Sequence, residues 1–261
     1  MKLNVRYQCM QSTCPDENVE ANIAVVEAAF DLNPAETALV LVDVWGGHHI
    51  KSHYERTGRI MSEKIRPCIE AARACGIAVV YAPSPHVAEV YPQWTRYAGE
   101  SQINPGPDTP DDGWPPPEYR RREGKYATLR RPDNERMNGY TGSLPDWWHI
   151  RDIASSIAPE PEDFVVATGD QLHRLLRHNR LVHLIYAGFA TNICVIYRDY
   201  GLQAMRHRGY FPMLLRDCTT AVETGATVSD FTITNTVIAD LERWFPTTDS
   251  AEFLAACGQA G

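Results

Sequence analysis

The run Gly188-Phe189-Ala190-Thr191-Asn192-Ile193-Cys194-Val195 places a thiol where an apolar strand gives way to a helix. A cysteine is most often a small hydrophobe. At a helix N-terminus, unpaired backbone N–H groups and the helix dipole favour its charged form, and it can serve as a nucleophile. A second chemical residue, Asp43, interrupts the apolar run Thr37-Ala38-Leu39-Val40-Leu41-Val42-Asp43-Val44. A carboxylate there is costly to bury without a partner. Two roles are open to it: organising the loop that follows the strand, or acting as base for the Cys194 thiol.

Around these two lie His48, His49, His53 and His86. Hydrogen bonding to a substrate, ordinary packing and metal ligation are all within the chemistry of imidazole. The spacing completes no known metal motif, and no metal or cofactor is expected. Asp217, followed by Cys218-Thr219-Thr220, has the character of a carboxylate that accepts backbone N–H groups in a turn, and Glu223 of one that caps the next segment. The glycine spacing of a dinucleotide fingerprint or a phosphate loop is absent.

The elements that must carry these residues alternate in type. Thr37–Val44 predicts a strand buried on both faces of a parallel sheet. A helix is expected from about Tyr54 to Ala74, stopped by Gly76, and then a strand at Ile77–Tyr81. Parallel units resume with Asp163–Ala167, a helix from Gln171 to His178, the strand Leu181–Gly188 and one helix from Asn192 to about His207. The strand Tyr210–Asp217 and a helix from Val228 to about Trp244 follow, with room for a sixth core strand near the C-terminus. The pattern predicts an α/β, three-layer, doubly wound, mainly parallel sheet. Ligands in such sheets bind beyond the carboxyl ends of the strands, which is where Asp43 and Cys194 fall.

Two segments stand outside that rhythm. Residues 1–33 read as an N-terminal extension of two short strands, Leu3–Tyr7 and Ile23–Phe30, ahead of a single domain at 34–261. Between Pro83 and Pro161 the periodicity fails; an insertion at about 87–150 holds Pro115-Pro116-Pro117 and many aromatic residues, among them Tyr91, Trp94, Tyr97, Trp114, Tyr119, Tyr126, Tyr140, Trp147 and Trp148. Disordered chains are poor in aromatics, so a packed lid or intersubunit arm is expected.

Composition narrows the partners. At 261 residues and a net charge of −8, the chain has no general attraction for nucleic acid or an anionic membrane. No apolar stretch is long enough to span a bilayer, and the N-terminal residues lack the apolar core of a signal peptide. Seven cysteines without close pairing suit a reducing cytoplasm.

Three stretches together resemble the isochorismatase-like cysteine hydrolases, the superfamily that includes nicotinamidases, N-carbamoylsarcosine amidohydrolases and ureido or biuret hydrolases. They are Ala38–Asp43, Gly188–Val195, and Gly209-Tyr210 leading to Asp217. The resemblance covers about residues 34–82 and 150–245. It implies Cys194 as nucleophile, Asp43 as general base, and a cis peptide between Phe189 and Ala190 that turns the Ala190 and Cys194 N–H groups into an oxyanion hole. Hydrolysis of a C–N bond in a small amide or ureide would then pass through a thioester. The resemblance also implies a lysine after the third core strand, where this chain has Thr168.

A neutral hydroxyl cannot replace that charge, and three readings follow. A basic residue of the insertion supplies it, with Lys125, Arg130 and Arg131 as candidates; or His86 does; or the site does not hydrolyse amides and the protein binds a metabolite or catalyses another reaction. Of the family's metal-holding positions, His86 matches one, whereas Ser84 stands where an aspartate would be. Trp45, His48, His49, Tyr91 and Trp94 are candidate substrate contacts, with Tyr97 a further aromatic wall. Family resemblance suggests a homo-oligomer.

Overall fold

Every side chain of β3, Thr37–Val42, is buried. Leu39 and Leu41 join one hydrophobic cluster, and Ala38, Val40 and Val42 join another on the opposite face. A strand apolar at every position is thereby satisfied by cover on both sides, and this fixes a three-layer arrangement. The computed structural model describes residues 1–9, 17–97, 99, 113–129 and 152–259.

The other strands are β1 (Lys2–Gln8), β2 (Val25–Asp31), β4 (Ala78–Ala82), β5 (Phe164–Val165), β6 (His183–Phe189), β7 (Phe211–Thr220) and β8 (Thr247–Thr248). Among the described residues they form an eight-stranded sheet in the order β2-β1-β8-β7-β6-β3-β4-β5. Strands β3 to β8 pair in parallel, and the β1–β2 hairpin adds two antiparallel strands at one edge through β8. The short β8 is the sixth core strand for which the sequence left room. Connections lead from β3 outward through β4 to β5 and then return to β6 on the other side of β3. The order of winding therefore reverses between β3 and β6, where their register sets Val42 beside Gly188.

Helix α1 (Lys51–Ile60) passes through a wider π turn, Met61–Ile65, into α2 (Arg66–Ala74). Pro67 lacks an N–H for the regular ladder, a sufficient reason for the wider turn at that point. This path and α9 (Ser250–Gly258) cover one face of the sheet with Met61, Ile65, Cys68, Ile69, Ala72 and Phe253. The other face is covered by α5 (Gly169–Asn179), α7 (Leu202–His207) and α8 (Thr232–Leu241), which contribute Leu172, Leu175, Leu176, Leu202, Met205 and Leu241. Shorter turns are α3 (Pro85–Ala88), α4 (Pro117–Arg121) and α6 (Cys194–Tyr197).

The helix expected from Asn192 to His207 is divided. Arg198 is extended, with φ −62° and ψ 154°, and the Gly201 N–H donates to its carbonyl at 2.8 Å. A Cβ on Gly201 would stand 2.8 Å from the Ile196 carbonyl oxygen, so the tight return needs glycine. The break turns Tyr200 into the core, where its hydroxyl donates to Pro83 O and its carbonyl accepts from the Tyr186 hydroxyl. Periodicity alone does not register a break that costs few hydrogen bonds and gains a buried tyrosine. The helix expected at 228–244 is likewise shorter: Phe231 is left-handed at φ 56°, and α8 starts after it.

Asp217 and Glu223 organise local structure. Asp217 accepts the Ser250 N–H and hydroxyl at 2.7 and 2.5 Å, tying β7 to α9. Glu223 accepts the Ile233 and Thr234 N–H groups at the start of α8. Where the insertion rejoins the core, Trp45 bridges to Ile153, the Gly46 N–H donates to Asp152 O, and the Ala154 N–H donates to Val44 O. These bonds clamp the chain just after Asp43. Tyr140, Trp147 and Trp148 of the insertion lie outside the described residues.

Gly188 carries the closest approach in the sheet. Its φ is +116°, and an added Cβ would lie 2.0 Å from Val42 O. Gly188→Ala is expected to destabilise the fold by about 3 kcal/mol or more, read as a lower urea midpoint with an unchanged m-value.

Candidate active site

Asp43 follows the last residue of β3 and is left-handed, at φ 46°. Its N–H donates to Ala82 O, and its side chain is fully buried. Burial of a carboxylate is tolerable only with strong partners, and Asp43 has them on both oxygens. Oδ1 accepts the Ser84 N–H at 2.6 Å and the Ser84 hydroxyl at 2.9 Å. Oδ2 accepts from Arg198 Nη2 at 3.3 Å and Nε at 3.4 Å. Arg198 Nη2 also donates to Ser84 Oγ at 2.5 Å, closing a triangle of side chains from the ends of β3, β4 and β6.

Cys194 opens α6 in the same place, half-buried and interacting through its sulfur with both Asp43 and Arg198. Burial and the Asp43 charge push its thiol up to about 12, and Arg198 opposes them without prevailing. At neutral pH the sulfur is therefore protonated, with the Asp43 side chain against it. Burial works against the Arg198 charge, but Tyr200, Asp43 and Cys194 more than offset it, so the guanidinium holds its proton more firmly than usual.

The turn preceding Cys194 is closed by the Ile193 and Val195 N–H groups, both donating to Ala190 O. Among the described residues, those backbone bonds use neither the Ala190 nor the Cys194 N–H. The Phe189–Ala190 peptide is cis. Thr191 anchors the turn to β7: its N–H donates to Thr220 O, and its hydroxyl meets that of Thr219 at 2.7 Å.

The structure brings Asp43, Cys194 and the Ala190 turn together and supplies a cation the sequence analysis did not name. Among the described residues, the group paired with Asp43 is Arg198. Its signal was present as a basic residue four positions after the cysteine, one helical turn on and on the same face, with its N–H donating to Cys194 O at 3.1 Å. Lys125 instead lies over the Tyr126 ring, 5.0 Å from its centroid. His86 sits within α3 and is not a partner of Asp43. Arg130 and Arg131 lie outside the described residues. Thr168 caps α5 by accepting the Gln171 N–H.

The aromatic candidates divide. The Trp45 ring stands 5.9 Å from Phe189 and 5.0 Å from His48, beside the turn that leads to Cys194. His48 and His49 stack at 4.5 Å, and His53 lies 4.8 Å from His48. Burial and the neighbouring imidazole lower His48 to about 4, and burial lowers His49 as well. Tyr91 and Trp94 pack against the core, the Tyr91 hydroxyl accepting the Ile153 N–H. Tyr97 is held by Arg174 and Asn179 of α5 and its flank, a structural duty. No group of three His, Cys, Asp or Glu side chains among the described residues is placed to hold a metal ion; Ser84 is committed to Asp43 and Arg198.

The isochorismatase domain model matches residues 37–239, from the first residue of β3 into α8. The chain belongs to the isochorismatase family. Among curated relatives, the ureidoacrylate amidohydrolase RutB of Pantoea ananatis is 26% identical over 232 residues, covering 82% of each chain. That of Agrobacterium fabrum is 26% identical over 203 residues, covering 72% of this chain and 77% of its own. A solved cysteine hydrolase from Pseudomonas syringae pv. phaseolicola shares the fold with a TM-score of 0.56 at 17% identity, covering 89% of this chain and 97% of its own.

Opposing effects of Asp43 and Arg198 on the thiol give a test with a sign. Asp43→Asn is expected to lower the Cys194 pKa and speed iodoacetamide alkylation at pH 8 severalfold, and Arg198→Met to slow it. Rates normalised to a free thiol read out the difference.

Proposed function

We propose that this isochorismatase-family protein is a cysteine hydrolase that cleaves a C–N bond of a small amide or ureide through a thioester on Cys194. The observation that carries the reading is the meeting of Cys194, Asp43 and Arg198 at the point where the sheet reverses its winding. The curated relatives are named for an activity of the same class, ureidoacrylate amidohydrolysis.

In this reading the resting thiol is neutral, so attack and proton transfer are coupled. As Sγ bonds to the carbonyl carbon, its proton passes to the Asp43 carboxylate. Charge developing on the carbonyl oxygen is met by the Ala190 and Cys194 N–H groups. Arg198 keeps its charge throughout, stabilising the sulfur anion as it forms and holding Asp43 in place. The proton on Asp43 goes to the departing nitrogen; the carboxylate then takes a proton from the water that opens the thioester and returns it to Sγ as the acid leaves, restoring the neutral thiol. Arg198 performs the electrostatic task of the family lysine from a different element, which speaks against a non-hydrolytic member lacking charge at this point.

Ammonia release over a panel of small amides and ureides tests this. Cys194→Ala is expected to lower kcat/KM at least about a thousandfold, and Arg198→Met about a hundredfold, with Arg198→Lys between the latter and wild type. Because Arg198→Met leaves a buried carboxylate without its cation, it is also expected to cost about 2 kcal/mol of stability, reduced from the fully buried case by the partial exposure of Arg198. Hydrolysis undiminished in Cys194→Ala would refute the thiol mechanism.

A further inference from the structure

Arg198 is held on Asp43 by long hydrogen bonds. Nη2 and Nε stand 3.3 and 3.4 Å from Oδ2, beyond the usual length of a charge-assisted pair, and the short contact of the guanidinium, at 2.5 Å, is with the neutral Ser84 hydroxyl. The side chain is 36% exposed. An ion pair this long, on a side chain this open to water, does little to fix its own geometry against the entropy of a flexible stem. Where the guanidinium stands is decided by the backbone that carries it.

The bonds nearest to Arg198 are internal to its own segment. Its N–H donates to Cys194 O at 3.1 Å, and its carbonyl accepts the Gly201 N–H at 2.8 Å. They shape the turn but leave its place in the fold open. Tyr200 and Asp199 settle that place. Tyr200 is fully buried, its hydroxyl donating to Pro83 O and its carbonyl accepting from the Tyr186 hydroxyl. Asp199 is exposed, yet its Oδ2 accepts the Gly169 N–H at 2.7 Å.

Gly169 opens α5, and the first N–H groups of a helix have no partner within it. Thr168 takes the N–H of Gln171. Asp199 supplies an acceptor for that of Gly169, together with a negative charge that suits a helix N-terminus. The approach is closer than the hydrogen bond alone requires: a Cβ on Gly169 would lie 2.0 Å from Asp199 O and 3.3 Å from Tyr200 N. Glycine is what lets the helix start meet the residues after Arg198. A second tie joins the same helical turn to the end of α7, with Arg208 Nη2 donating to Asp170 Oδ1 at 2.6 Å.

We propose that Asp199 is a positioning residue: docked on the first turn of α5 through the Gly169 N–H, it sets the place of the Arg198 guanidinium against Asp43 and Cys194. The catalytic use of that placement rests on the hydrolase reading above; the placement itself is tested on the thiol.

The effect has a sign that separates it from simple charge. Removing an anion near a thiol lowers the thiol pKa, whereas loosening the Arg198 cation raises it. Asp199→Ala is expected to slow iodoacetamide alkylation of Cys194 at pH 8 at least about threefold and to move its pH profile upward. Mass spectrometry of the Cys194 peptide reads the rate apart from Cys9 and Cys75. Asp199→Asn, whose side-chain oxygen accepts the same N–H without the charge, is expected to stay within about twofold of wild type. In an Arg198→Met background, Asp199→Ala is expected to change the rate less than about 1.5-fold, because no cation is left for it to act through. Ammonia-release kcat/KM should fall about tenfold in Asp199→Ala and recover in Asp199→Asn. The position is exposed, so both variants are expected to fold, and far-UV circular dichroism checks that they do.

Alkylation unchanged or faster in Asp199→Ala, an equal slowing in Asp199→Asn, or the same slowing with and without Arg198 would overturn the proposal. The expected alkylation pattern in a protein that hydrolyses no amide or ureide would leave the positioning role standing and remove the hydrolase reading. Cys194-dependent hydrolysis with alkylation indifferent to Asp199→Ala would do the reverse.

Discussion

A buried carboxylate shared by a serine and an arginine is the constraint on which the site depends. Asp43 cannot remain charged at the end of an apolar strand without donors on both oxygens, and the donors come from two other strand ends. Satisfying it therefore pulls β4 and the segment after β6 to the carboxyl end of β3. The sulfur of Cys194 arrives with Arg198, because the two occupy successive turns of one short segment. Desolvation that would be a penalty elsewhere here raises the thiol and keeps a neutral S–H beside Asp43.

The sheet makes this possible through one close contact. Gly188 lets β6 press against Val42 O at a distance no side chain would permit. Clamping of Val44, Trp45 and Gly46 by residues 152–154 then fixes the exit from β3. Rigid strands below and a laced loop above hold the reacting groups, which is the general requirement for a preorganised site.

The layering, and the placing of Asp43 and Cys194 at the ends of neighbouring strands, were legible because they follow from local signals. An uninterrupted apolar strand is buried on both faces, and a carboxylate or thiol at its end is conspicuous. Arg198 was not legible for the opposite reason. Its place one turn after Cys194 is local, but its meeting with Asp43 is a tertiary ion pair, and a pattern of periods carries no record of that. Tyr91 and Tyr97 show the converse: aromatic residues in an irregular segment invite a binding role, yet their hydroxyls and backbone are spent on Ile153, Arg174 and Asn179. Thr168, singled out in the sequence through the resemblance alone, begins a helix.

The divided helix after Cys194 has one further consequence. Cys194, the Ala190 turn and Arg198 all reside on a single short stretch of chain between two glycines, Gly188 and Gly201, each of which meets a carbonyl at a distance that forbids a Cβ. A side chain at either glycine would therefore disturb the sulfur, the turn and the guanidinium together rather than one at a time.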